Sequence, residues 1–246
     1  MKTDILGVNI DSLTFSEALE VALSFLDAPG GHMIFTPNPE MIMAAHRSPE
    51  LKTILNNASL VIPDGIGVVM MSKINKIKIR ERVTGYDFTE ALFDRLKGTD
   101  KSFYFLGSKP EVAELAKEKV EEKFLRVKIA GTHDGYFDAA EEIKILEELN
   151  RLEPEVILVG FDGKKACEWI SGNLGNLSPK TKILIGVGGS FDGFSGNFPR
   201  APKLVRKLCL EWLYRLIKEP SRRKRQMQLP VFVVYALLYR LGKWRK

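Results

Sequence analysis

The sequence predicts an α/β fold, a mainly parallel sheet with helices on both faces, followed by a basic helical C-terminal appendage. Three observations predict it. Short apolar runs that end in glycine, proline or a carboxylate alternate with longer runs whose apolar residues fall at helical spacing. Such alternation builds a parallel sheet covered on both sides. After Arg200-Ala201-Pro202 the period changes and the chain turns strongly basic. A boundary near 198–202 therefore divides a core, residues 1–198, from an appendage, residues 199–246.

Taken in order, Ile5 to Ile10 reads as a first strand. Thr14 and Glu17 form a capping-box pattern that opens a helix with Ala18, Leu19, Ala22, Leu23 and Leu26 on one face. His32 to Thr36 reads as a buried strand. Two short helices fill 40–57, because Ser48-Pro49-Glu50 reads as a cap, a first turn and a restart. A short strand follows and ends at Asp64. Lys73 to Arg82 carries five Lys/Arg, which is most simply a solvated face, and Asp87 to Lys97 is a helix. Ser102 to Leu106 is a strand that closes in Gly107-Ser108, with Pro110 starting the next helix. Val127 to Thr132 is a strand, Ala139 to Leu152 a charged helix, Val156 to Val159 a strand and Ile183 to Val187 the last strand. In the appendage, Leu204 to Ile217 and the apolar run Val231 to Leu241 read as helices. The second is about 12 residues, or roughly 18 Å of helix, too short for a hydrocarbon core of roughly 30 Å. It either lies in a membrane interface beside its basic neighbours or packs on the main domain.

Composition narrows the classes. Of 246 residues, 45% are hydrophobic, ordinary for a chain with a real core. Cys167 and Cys209 lie far apart and form no metal or redox motif, which fits a reducing compartment. The N-terminal stretch lacks the apolar run of a signal peptide, and no spanning helix is visible, so a cytoplasmic protein is expected. The net charge of +6 hides a split. Residues 200–246 hold 14 Lys/Arg against two Asp/Glu, or +12, and the rest holds 23 against 29, or −6. Such a tail meets something anionic: a membrane surface, a nucleic acid or a phosphorylated ligand. It carries no recognisable nucleic-acid motif, so no nucleic-acid partner is expected.

Chemistry is read at the ends of the strands, where ligands bind in open α/β sheets. Leu60-Val61-Ile62-Pro63-Asp64-Gly65-Ile66-Gly67 puts a carboxylate at such an end, and Gly65 and Gly67 would let a substrate approach the backbone. Asp64 is equally the kind of residue that caps a following helix. Gly107-Ser108 before a helix is a generic phosphate geometry. Gly188-Gly189-Ser190 is neither a P-loop nor a dinucleotide fingerprint; its amides either cradle phosphate or only make a tight turn. His133, with no partner motif, reads as structural. No metal-ligand cluster is visible, and neither a metal nor another cofactor is expected.

Several blocks in order resemble the WecG/TagA/CpsF glycosyltransferase family. They are Thr36-Pro37-Asn38-Pro39-Glu40, Pro63-Asp64-Gly65-Ile66-Gly67, Arg82-Val83-Thr84-Gly85-Tyr86-Asp87, Gly135-Tyr136-Phe137 and Gly186 to Asp192. Arg200-Ala201-Pro202, Leu210 to Leu216 and the arginines of 219–225 complete the series. The resemblance implies transfer of N-acetylmannosamine, or its uronic acid, from a UDP-sugar to polyprenyl-diphosphate-linked N-acetylglucosamine, the first committing the lipid to wall teichoic acid and the second serving another surface polysaccharide. It implies a peripheral position on the inner face of the cell membrane, with an anionic membrane surface as partner. Asp64 then matches the catalytic base. Thr36, Asn38 and Arg82 match pocket residues, and Arg215, Arg222 and Arg225 match appendage arginines that reach the diphosphate in place of a metal. Gly188 and Gly189 are placed at the phosphates and Asp192 and Tyr136 near the uridine. Self-association would hide an exposed apolar appendage. One block departs: where the family has Gly-x-Pro-x-Gln-Glu-x-Trp, Lys164, Ala166 and Cys167 stand at the Pro, Gln and Glu positions, and Trp169 remains. A changed donor preference or a poorly active relative is the corresponding expectation.

Overall fold

The computed structural model describes residues 2–74, 79–198, 201–202, 204–205, 210–218 and 228–240. Two strands, β1 (Lys2–Ile5) and β2 (Val8–Asp11), form an antiparallel hairpin. Six more form one parallel sheet: β3 (His32–Phe35), β4 (Leu60–Val61), β5 (Ser102–Gly107), β6 (Lys128–His133), β7 (Val156–Gly160) and β8 (Ile183–Gly186). The sheet order is β4-β3-β8-β7-β5-β6, with every neighbouring pair parallel.

The predicted α/β class is what the chain adopts, because the strands are apolar on both faces. Met33, Phe35, Val61, Tyr104, Leu106, Ile157, Val159 and Leu184 point to one side. There they meet α2 (Pro39–Arg47), α3 (Pro49–Asn56), α7 (Ala139–Leu152), α8 (Gly163–Asn173) and the hairpin residues Ile5, Val8 and Ile10. Ile34, Leu60, Phe103, Phe105, Val156, Leu158, Ile183 and Ile185 point to the other. That side is covered by α1 (Phe15–Ser24), α5 (Gly85–Leu96), α6 (Val112–Lys123) and the short α9 (Ser190–Phe194). Alternation of side chains along each strand makes this two-sided split.

Local chemistry sets the helix ends. Thr14 and Glu17 close the predicted capping box, Thr14 Oγ1 accepting from Glu17 N and Glu17 Oε2 from Thr14 N. Ser48 ends α2 and caps α3, its Oγ accepting from Leu51 N. Two expectations fail locally. Ile5 to Ile10 is not one strand, because Leu6 and Gly7 take φ of 53° and 89° and fold the run back on itself. Pro110 does not start a helix; α6 begins at Val112, after Ser108 and Glu111 adopt left-handed φ of 66° and 67°.

Two appendage helices are described, α10 (Glu211–Lys218) and α11 (Gln228–Arg240). The first follows the predicted helix near Leu204 to Ile217, and the second the apolar run after Pro230. α11 packs on α2 and on α4 (Ile66–Ile74). Phe232 is 1% exposed within the core on that side, and the Tyr235 ring stands edge-on to His46 at 5.5 Å. Of the two readings of this run, packing on the main domain describes the contacts, while Val233, Val234 and Leu237 stay exposed. No helix among the described residues is long and apolar enough to cross a membrane.

Candidate active site at the carboxyl edge of the sheet

Asp64 sits just past the end of β4. Its amide donates to Pro37 O at 3.2 Å, which fixes it beside the Thr36–Asn38 segment after β3. Pro63 O accepts from Val83 N at 3.2 Å, which lays the entry to α5 alongside. Gly85 N, in the first turn of α5, then lies 3.5 Å from Asp64 Oδ2. A donor amide at a helix N-terminus is a favourable neighbour for a carboxylate. Thr36 completes the group, because a Cβ on Gly85 would lie 2.8 Å from Thr36 Oγ1. Thus Thr36, Asp64 and Gly85, far apart in sequence, meet at one corner, with Arg82 on the chain three residues before Gly85.

Asn38 stands at this corner with part of its side chain engaged, since its Oδ1 accepts from Met41 N at 2.9 Å and caps α2. The expectation that Gly67 admits a substrate is overturned. A Cβ there would meet Pro39 Cγ at 2.7 Å and Leu229 Cδ2 of α11 at 3.5 Å, so the missing side chain makes room for the protein itself. Gly65 has φ of +87°, a turn requirement in its own right.

The second half of the edge is a topological switch point. The chain leaves β5 for β6 on one side, and leaves β7 for β8 on the other. Ligand crevices in open sheets open at such a divergence. Here Gly107 pairs with Gly160 so closely that a Cβ on Gly107 would lie 2.7 Å from the Gly160 carbonyl carbon. Ser108 N donates to Gly160 O at 3.0 Å, so this amide is spent within the protein rather than on a phosphate. Ser108 O accepts from Gly135 N at 2.9 Å, and Ser108 Oγ lies 3.4 Å from Asp192 Oδ1. One serine therefore links the loops after β5, β6 and β8. Gly188 turns with φ of +51° into open space. Tyr136 is 69% exposed on the loop after β6. The two halves join where Tyr86 of α5 stacks on Phe194 of α9 at 4.3 Å. From β4 to β5 is four strand spacings, roughly 19 Å, room for an elongated ligand.

His133, expected to be structural, supports the same loop. Its Nδ1 lies 3.0 Å from Asp134 O, its Nε2 3.6 Å from Glu141 Oε1, and its ring meets Phe137 edge-on. Among the described residues no group of three or more His, Cys, Asp or Glu is set to hold a metal ion.

Arg82 reaches the appendage, its Nη2 standing 3.9 Å from Glu211 Oε2 of α10, with both side chains about four-fifths covered. Glu211 was not singled out by sequence reasoning; its only signal is its place in the Leu210 to Leu216 block. Arg215 lies on the same helix, while Arg222 and Arg225 lie outside the described residues. The atypical block forms the start of α8. Lys164 pairs with Glu168 in solvent, and Ala166 and Cys167 are buried in the core. Burial pushes the Cys167 thiol up to about 12, which leaves it an inert packing residue. Trp169 is buried in the same core.

The fold and this edge define an α/β protein with a carboxylate, a covered arginine and glycine-lined turns gathered at the tips of parallel strands. A family model described as "Glycosyl transferase WecG/TagA/CpsF family" matches residues 3–246, and the chain belongs to that family. A relative from Bacillus subtilis (strain 168) is 34% identical over 230 residues, covering 94% of this chain and 88% of its own. One from Bacillus spizizenii is 33% identical over 228 residues, 93% of this chain and 87% of its own. One from Staphylococcus aureus (strain MRSA252) is 29% identical over 247 residues, 100% and 94% respectively. All three are described as N-acetylglucosaminyldiphosphoundecaprenol N-acetyl-beta-D-mannosaminyltransferase.

Proposed function

We propose that this chain moves N-acetylmannosamine from UDP-N-acetylmannosamine to the N-acetylglucosamine of an undecaprenyl-diphosphate lipid, with inversion, and so commits that lipid to wall teichoic acid. The observation that carries the reading is the corner where Asp64 sits against the N-terminus of α5, whose first residue, Gly85, packs on Thr36. Family membership and the names of the relatives give the substrate class. The acceptor hydroxyl gives its proton to the Asp64 carboxylate as its oxygen attacks the anomeric carbon. The bond from that carbon to the diphosphate oxygen breaks, and UDP leaves with the electron pair. One displacement inverts the centre and needs no protein nucleophile.

Arg82, the amides near Gly188 and Gly189, and Arg215, Arg222 and Arg225 are assigned to the two diphosphates, whose geometry suits guanidinium forks. Thr36 and Asn38 line the sugar site, and Tyr136 and Asp192 flank the uridine. The appendage is assigned to an anionic membrane surface on the cytoplasmic side. Trp212, Leu213, Ile217, Val233, Val234 and Leu237 support that contact as exposed apolar residues within the basic segment. Self-association over the same residues is the cover assigned to them away from lipid.

The test is UDP release from UDP-N-acetylmannosamine with a short-chain lipid-diphosphate acceptor. Asp64→Asn is expected to lower kcat by roughly 10²- to 10⁴-fold, the range of a lost general base, with UDP affinity retained. Wild-type turnover in that variant would remove Asp64 from the reaction.

A further inference from the structure

We infer that Lys165 is a positioning residue for nucleotide binding: it locks the Asp134–Phe137 loop so that Tyr136 presents a fixed stacking face to the pyrimidine ring of the donor. This rests on the UDP-sugar reading above and deepens it. Lys165 lies in the first turn of α8, inside the block that departs from the family pattern. Its ammonium stands 4.7 Å from the centroid of the Phe161 ring and 5.3 Å from that of Phe137. Those two rings meet each other at 5.8 Å. From this position Nζ donates to Gly135 O at 3.1 Å.

The rest of the loop is held as firmly. Gly135 N donates to Ser108 O at 2.9 Å, and Tyr136 N donates to Asp134 Oδ1 at 2.7 Å. Gly135 is packed so closely that a Cβ there would lie 3.2 Å from the Phe161 ring and 3.3 Å from Ser108 O. Both backbone polar groups of Gly135 are thus bound, its amide by Ser108 and its carbonyl by Lys165. The side chain between these anchors and Phe137 is Tyr136, 69% exposed at the switch point. A large aromatic ring left in solvent by a loop that every neighbour restrains has no packing role in the core. Aromatic faces bind bases by stacking, and a preordered platform loses less entropy when it does so. Lys165 supplies a second restraint, because it binds the Gly135 carbonyl while Ser108 binds the Gly135 amide.

The experiment compares Lys165→Met, which keeps the apolar stem and removes the ammonium, with Lys165→Arg, which keeps a cation and donors. Lys165→Met is expected to weaken UDP and UMP binding alike, by about tenfold, as loss of a cation–π contact and a hydrogen bond allows. Donor KM should rise in step while kcat changes less than about twofold on the reading that chemistry resides elsewhere. Lys165→Arg should restore most of the affinity. In the free protein, amide exchange across 134–137 should quicken in Lys165→Met at unchanged Tm. Added to Tyr136→Ala, Lys165→Met should cost nothing further. Unchanged UDP affinity in Lys165→Met would overturn the assignment, as would effects of Lys165 and Tyr136 that multiply. A loss confined to UDP and absent for UMP would mean that Lys165 meets the phosphates directly, and would overturn it too. Wild-type protein that binds no UDP would instead overturn the donor reading, and this inference with it.

Discussion

Asp64 and Gly85 meet because the chain omits a side chain at Gly85. An alanine there would push its Cβ to 2.8 Å from Thr36 Oγ1, and either the helix or Thr36 would have to yield. The sequence shows the glycine within Arg82 to Asp87, but its reason is tertiary and invisible in a string of letters. Asp64 itself was legible as a carboxylate at a strand end; that its neighbour would be the second helix downstream, at Gly85, was not. A different residue makes a pH prediction. His32 opens β3 at the far end of the sheet, stacked on Phe25 at 4.2 Å with Nδ1 3.1 Å from Ser59 Oγ. Its Nε2 is buried and makes no full hydrogen bond among the described residues. Burial holds its pKa below the ordinary 6.5, although the Pro29 carbonyl pulls the other way. The unfolded chain therefore binds this proton more readily than the native one. Stability is complete above about pH 6.5 and declines as pH falls towards the native pKa. His32→Phe keeps the stack and cannot titrate. Its Tm should fall less than that of the wild type between pH 7.5 and 5; equal falls would place the acid sensitivity elsewhere.

Elements with local signals were readable, and elements made by tertiary contact were not. Thr14, Ser48 and Asn38 announce helix starts because capping is a short-range bond between near neighbours. The β1–β2 turn was hidden because Leu6 holds a left-handed φ that leucine rarely adopts, inside a run that alternates like a single strand. α11 was ambiguous for a related reason: apolar residues lie all round it, so its period does not say which side packs. Contacts decide that Phe232 goes inwards, with Val231 and Tyr235 partly buried beside it. Phe232→Ala is expected to release the helix. Losing a buried phenylalanine costs roughly 3–5 kcal/mol, and Phe232 is the side chain of this 13-residue helix that is fully buried among those described. Amide exchange along α11 should approach the unprotected rate while the sheet stays protected. Retained protection in α11 would show that Phe232 is not its anchor. The same variant should affect turnover, because α11 packs through Leu229 against Gly67, three residues after Asp64.

At the scale of the molecule, charge is sorted along the chain: −6 before residue 200 and +12 from residue 200 onward. A folded body does not need such a split; among the described residues Arg82–Glu211 is an ion pair that crosses the divide. A cationic segment of this size calls for an anionic partner. A lipid-linked acceptor presents its diphosphate at a membrane surface, so the two requirements coincide if the appendage lies on that surface. Each basic residue near an anionic leaflet contributes on the order of 1 kcal/mol. Arg222→Glu with Arg225→Glu removes two attractions and adds two repulsions, so vesicle affinity should fall by about 4 kcal/mol, or roughly 10³-fold. The effect should shrink as salt rises, since charges in water are screened beyond about 8 Å at physiological ionic strength. Turnover of a water-soluble, short-chain acceptor separates two roles for these arginines. If they serve only the membrane, soluble turnover survives the double change; if they also hold the diphosphate, both readouts fall together. The proposed function requires the second result. Binding to neutral and anionic vesicles that is equal, and indifferent to both substitutions, would detach the basic segment from the membrane altogether.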